Sequence, residues 1–137
     1  MIKQKHKPHD FCIGNLLQGV NEFNLDIDTE YNEEIISIIA EKIKDTLDDL
    51  VSKIFVRKSS SGNIHIKVQL TQEIPVFYAL IFRYYLNDDV HRILLDIIRI
   101  TTNSPFDRLW DFKYQNGKEG YAQDWHCLLY TSDAADE

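Results

Sequence analysis

The chain has 137 residues, 44% of them hydrophobic and 27% charged, with only five glycines and three prolines. That composition excludes disordered, collagen-like and low-complexity proteins. With 15 basic against 22 acidic residues the net charge is −7, which argues against indiscriminate coating of nucleic acid but leaves room for a local basic groove.

A chain of this length is expected to form one domain that needs neither a disulfide nor a structural metal. No apolar run reaches the roughly 18 residues of a membrane span, and the opening MIKQKHKPHD lacks the apolar core of a signal peptide. A soluble, cytoplasmic protein with no membrane partner is the expectation.

Residues 1 to 10, with Lys3, Lys5, Lys7, His6 and His9, read as a loose basic arm. Phe23 to Asp28 (FNLDID) alternates apolar and polar residues and predicts a half-buried strand, with Asp26 and Asp28 on one face and Leu25 and Ile27 on the other. Thr29 to Asn32 supplies capping chemistry and Glu33 and Glu34 first-turn acids. A long amphipathic helix is then predicted from Ile35, Ile36, Ile39, Ile43, Leu47, Leu50 and Val51. Two strands are predicted at Ile54 to Arg57 and Ile64 to Leu70, joined by the Ser-Ser-Ser-Gly-Asn turn at 59 to 63. On the second, Asn63, His65 and Lys67 share the face opposite Ile64, Ile66 and Val68.

Pro75 opens a helix carrying Phe77, Tyr78, Ile81, Tyr84 and Tyr85, which ends at Asn87-Asp88-Asp89. Val90 to Ile100 fits either periodicity; its isoleucines favour a helical turn through Asp88 to Arg92 followed by a strand at about 93 to 100. Ser104 to Lys113 reads as a short helix and Asn116-Gly117 as a turn. Aromatics at near-helical spacing, Tyr84, Tyr85, Trp110 and Tyr114, are read as core ahead of base-stacking residues. The order predicts an α/β (α+β) fold, a mixed sheet packed against helices.

Cys127 to Glu137 (CLLYTSDAADE) resembles an in-frame translation of the transposase mosaic end and adapter used in sequencing libraries. Those residues are therefore expected to lie outside the fold. Residues 1 to 126 would be one incomplete domain whose natural chain continues past His126. Without Asp133, Asp136 and Glu137 the net charge moves from −7 to −4, and Cys12 is the only thiol left. One thiol makes no internal disulfide, so a reducing compartment is expected.

Three groups carry possible chemistry. Asp26-Ile27-Asp28 places two carboxylates roughly 7 Å apart on one strand face, where their repulsion invites a cation with a preference for oxygen, Mg2+ or Mn2+. Solvated acids on an exposed strand are the plain alternative. Arg57-Lys58-Ser59-Ser60-Ser61-Gly62-Asn63-Ile64-His65 joins a hydroxyl-rich and glycine-containing turn to two cations and an imidazole, which suits a polyphosphate; a flexible hairpin is the alternative. Asp88-Asp89-x-x-Arg92-x-x-x-Asp96-x-x-Arg99 carries either a strand acid at Asp96 or a salt-bridged helix.

In order and spacing, Asp26-Ile27-Asp28, Asn63-Ile64-His65 and Leu95-Asp96 resemble the three motifs of the archaeo-eukaryotic primase superfamily, over about residues 21 to 113. Asn63 stands where that family commonly has serine or glycine, and the interval to the third motif is short, so Asp88 or Asp89 are substitutes for the third acid.

The resemblance implies a primase-polymerase-like fold and a metal-dependent nucleotidyltransferase serving replication of a plasmid, virus or mobile element. Asp26, Asp28 and Asp96 would be catalytic and hold Mg2+ or Mn2+. His65, Arg57, Lys58, Ser61 and Asn63 would bind the nucleotide, and Arg92 and Arg99 would be supporting or template contacts. Nucleoside triphosphates and a nucleic-acid template would be partners, with a helicase domain or another replication protein as a further one. The alternatives are a metal-dependent nuclease, for which Lys67 would serve beside the acids, and a non-catalytic nucleic-acid-binding accessory module.

Overall fold

The computed structural model describes residues 11 to 115 and 118 to 130. The basic arm at 1 to 10, the Asn116-Gly117 turn and residues 131 to 137 lie outside them.

After a 3-10 turn at Ile13–Leu17, the alternating segment forms strand β1 (Gly19–Glu30). Its period-two pattern buries Phe23, Leu25 and Ile27 and leaves Asn24, Asp26 and Asp28 on the opposite face. Helix α1 (Glu33–Leu47) starts at Asn32, whose side chain accepts from the N–H groups of Glu34 and Ile35. It buries Ile36, Ile43 and Leu47. Strands β2 (Val51–Lys58) and β3 (Asn63–Pro75) form the expected hairpin, and helix α2 (Val76–Tyr85) follows directly after Pro75.

Strand order is β1-β3-β2-β6, where β6 is His126–Tyr130; β4 (Phe112–Gln115) and β5 (Lys118–Tyr121) make a separate two-stranded ribbon. The α+β class expected from the sequence is what the structure shows. Every pairing is antiparallel, so the sheet is not mixed among the described residues. Cys127 to Tyr130, set aside above as adapter-like, run beside β2 as β6.

One face of the sheet packs Leu25, Ile27, Ile54, Val56, Ile64, Ile66 and Val68 against α1 and α2. The other face is polar, and it carries the site.

Two expectations are corrected. Val90–Thr101 is a continuous helix, α3, with no strand at 93 to 100. Ile93, Asp96 and Ile100 fall on its buried side at helical spacing, and a tertiary contact surface outweighs the weak β preference of isoleucine. No helix forms at 104 to 113: the chain is irregular up to Asp111 before entering β4. Asp107 there adopts a positive φ of 58° and lays its carboxylate on the edge of β1, an arrangement no helix allows. Among the described residues, no helix is long and apolar enough to cross a membrane.

Candidate functional site

Antiparallel register puts Asp26 opposite His65 and His65 opposite Arg57, one row across three adjacent strands. Opposed residues share a sheet face, so all three side chains belong to the polar side. Beyond Ile27 the β1 ladder slips before resuming at Glu30–Asn63. Asp28 stands in that bulge, and Asn63 donates its Nδ2–H to Asp28 Oδ1 at 3.3 Å.

The turn between β2 and β3 is closed by Ser59 N–H to Asn63 O (2.8 Å) and Gly62 N–H to Ser59 O (3.0 Å), with Ser59 Oγ accepting from the Asn63 N–H (2.9 Å). Gly62 at φ 95° takes the conformation that side chains avoid. Ribbon β4–β5 leans on this turn: a Cβ at Gly120 would meet the Ser60 carbonyl oxygen at 2.7 Å.

These elements enclose a cleft of about 1000 Å3. Asp26, Asp28, Ser59, Ser60, Ser61, Asn63 and His65 line one side; Asp89, His91, Arg92 and Arg99 from α3 and its cap, then Arg108 and Trp110, line the other. A second cavity of about 700 Å3 lies between α1 and α2. It is lined mainly by Ile38, Ile81, Phe82, Tyr85 and aliphatic stems, away from the polar face. Convergent polar groups single out the first.

Electrostatics inside the cleft are unusual for surface residues. Arg57 Nε–H donates to His65 Nδ1 at 3.0 Å, which leaves the imidazole proton on Nε2, 3.7 Å from Asp26 Oδ1. Burial, reinforced by the Arg57 and Arg92 guanidinium groups, pulls the His65 pKa to about 4. The imidazole is therefore neutral at physiological pH, and its contact with Asp26 is no ion pair. Burial pushes the Asp26 carboxyl above the usual carboxylate range; Arg92 pulls it back, and Asp88, Asp89 and Asp28 push it up again. A half-buried carboxyl with three other acids near it is a place that favours positive charge.

Asp96 does not join them. It sits 1% exposed on the inner side of α3 and does not line the cleft. Its oxygens are taken by Arg83 Nη1 (2.9 Å), Arg99 Nη1 (3.3 Å) and the Asp107 N–H (3.0 Å). Asp96 is thus a structural acid, and the salt-bridged helix is the reading that holds. Asp88 is likewise consumed by Arg83 Nε (2.7 Å) and Arg92 Nη1 (2.8 Å). Asp89, the N-cap of α3, lines the cleft and is the acid from this stretch that faces Asp26 and Asp28.

The buried acids have a purpose in the fold. β1 is an edge strand, and its outward N–H groups at Asn24 and Asp26 donate to Asp107 Oδ2 (3.0 Å) and Asp88 Oδ1 (2.8 Å). Arg83, Arg92 and Arg99 balance Asp88, Asp96 and Asp107 behind that edge.

Of the other expected residues, Ser61, Asn63, His65, Arg92 and Arg99 line the cleft, whereas Arg57 and Lys58 do not. Arg57 is buried and committed to His65, Asp111 and the face of Trp125. The Lys58 carbonyl accepts from Gln123 N–H. Lys67 stacks on Trp125, 4.8 Å from its ring centre, and does not line the cleft. Tyr84, Tyr85 and Trp110 are exposed, which corrects the core reading; the side chain of Tyr114 lies outside the described residues. Sequence reasoning missed Arg83, Asp107, His91 and Arg108. An arginine inside the apolar run VFYALIFRYY was the available signal for Arg83.

No group of three or more His, Cys, Asp or Glu side chains among the described residues is arranged to hold a metal ion. Mg2+ is commonly held by one or two carboxylates with water elsewhere in its shell, and Asp26 and Asp28 both line the cleft. No protein-family model, curated protein or solved structure matches the chain.

Proposed function

We propose that this chain is a metal-dependent nucleotidyltransferase domain of the primase-polymerase kind, with Asp26, Asp28 and Asp89 as its acids and His65 and the 59 to 63 turn as its triphosphate cradle. The observation that carries this reading is the register pair Asp26–His65, which brings a cation-seeking carboxylate and a neutral N–H donor into one cleft.

Asp26 and Asp28 would hold Mg2+ or Mn2+, which supplies charge neutralisation at the phosphates and activation of the attacking hydroxyl. His65 donates its Nε2–H to a phosphate oxygen. A neutral imidazole donates there without adding a buried charge. The hydroxyls of Ser59, Ser60 and Ser61 offer further donors, and Arg92 and Arg99 add positive potential on the facing wall. Nucleoside triphosphates and a nucleic-acid template are the partners this reading requires, in replication of a plasmid, virus or mobile element, alongside a helicase or other replication protein in the cytoplasm. Lys67 lies over Trp125 and does not line the cleft, which favours this reading over a nuclease with that lysine beside its acids.

The test is synthesis on a single-stranded template with nucleoside triphosphates and Mg2+ or Mn2+. Labelled product that disappears in Asp26→Ala with Asp28→Ala supports the reading. Cleavage of the template by the same acids would make it a nuclease, and template binding with neither activity an accessory module.

A further inference from the structure

We infer that Trp110 is the platform on which the base of a mononucleotide stacks in this cleft, an inference that rests on the nucleotide-binding reading above and names the residue that would distinguish a nucleotide from a bare polyphosphate.

Trp110 lines the same cleft as Asp26, His65 and the serine turn, yet the residue is 65% exposed. An indole this open, at the rim of a polar cleft, has a π-face available to a ligand. Two contacts hold it in place. The Arg108 guanidinium lies 5.0 Å from its ring centre, and Arg57 Nη2–H donates to its backbone oxygen at 3.4 Å. Arg57 is the residue that also fixes His65, so the platform and the phosphate donor share one anchor.

A cleft of about 1000 Å3 accommodates a nucleotide-sized ligand. Asp26, Asp28, His65 and the serine turn occupy one wall, and the indole stands on the other beside Asp89, Arg92, Arg99 and Arg108, so a ligand whose phosphates lie at the serine turn has an aromatic face across the cleft for its base. Stacking on an aromatic face tolerates any base, so Trp110 would add affinity without choosing sequence.

The test measures affinity for dATP, inorganic tripolyphosphate and a short single-stranded oligodeoxynucleotide, all with Mg2+, in wild type, Trp110→Ala and Trp110→Phe. Because Trp110 is exposed, both variants are expected to keep the wild-type circular dichroism. Trp110→Ala is expected to weaken dATP by about 5- to 150-fold, the range for loss of one base stack, with tripolyphosphate unchanged and Trp110→Phe restoring most of the loss. Equal dATP affinity in wild type and Trp110→Ala overturns it, as does a loss confined to the oligonucleotide, which would assign the indole to the template strand. Trp110-dependent dATP binding without any synthesis leaves the platform standing and removes the polymerase reading. Wild type that binds dATP no tighter than tripolyphosphate removes the platform alone.

Discussion

Arg57 Nε–H donates to His65 Nδ1 across neighbouring strands at 3.0 Å, and this single bond sets which imidazole nitrogen faces Asp26. The neutral form it stabilises has a thermodynamic consequence. Above pH 6.5, the ordinary imidazole value that the unfolded chain takes, His65 is neutral in both states and its contribution to stability is fully present. Between 6.5 and about 4 the unfolded chain takes a proton that the fold refuses, so stability falls as pH falls and the loss levels off below the folded value. A shift of this size is worth about 3 kcal/mol. Asp26, with its raised pKa, acts in the opposite sense, so the effect is read as the difference between wild type and His65→Asn in urea unfolding across this window. A flatter acid limb in the variant is expected; superimposable pH profiles would show that His65 titrates normally.

Asp26→Asn separates function from stability. Its carboxyl is held above the usual range by burial and by Asp88, Asp89 and Asp28, so at neutral pH the amide relieves an unfavourable charge. A melting temperature equal to or higher than wild type is expected together with loss of metal-dependent nucleotide binding. A lower melting temperature with binding intact would reverse the assignment of this acid.

Arg83 and Asp96 should behave in the opposite way. Arg83 is 1% exposed and contacts Asp88 and Asp96, so Arg83→Met leaves two buried carboxylates short of a partner. Losses of about 3–5 kcal/mol accompany such a break. Asp96→Asn is expected to lose stability too, while the fraction that remains folded keeps its affinity for nucleotide and metal. Were Asp96→Asn as stable as wild type but unable to bind metal, Asp96 would have to reach the cleft.

Gly120→Ala tests the link between ribbon β4–β5 and the serine turn. The added methyl would sit 2.7 Å from the Ser60 backbone oxygen, and backbone yields less readily than a side-chain end. Overpacking of this kind costs about 1–3 kcal/mol. Weaker tripolyphosphate binding is expected in calorimetric titration, with little change in metal binding at Asp26 and Asp28.

Much of the polar face was legible because β periodicity is strict: in FNLDID and NIHIK a residue's parity alone decides its face. The apolar partners Leu25, Ile27, Ile64 and Ile66 then confirm the choice by being buried. Val90 to Thr101 was misread because six positions of Ile and Leu satisfy both periods, and what resolves them is contact with Val76 and Leu80 of α2, which no local pattern encodes. Asp96 followed that error. The role of Asp107 was invisible for a similar reason, since it depends on a left-handed backbone and on the free edge of β1, which is known only once strand order is known. Arg57 was placed on the correct strand, but its commitment to His65 and Asp111 requires the sheet and the incoming loop together.

Under the proposed function, Asp26 and Asp28 hold a cation in the cleft that they share with Asp89 and His65. Paramagnetic broadening of backbone amide signals on adding Mn2+ tests it most directly. Selective loss of signal around residues 26 to 28, 63 to 65 and 88 to 89, competed by Mg2+ and abolished in Asp26→Asn with Asp28→Asn, is the expected result. Broadening centred elsewhere on the chain, or spread evenly and unaffected by those substitutions, would contradict it.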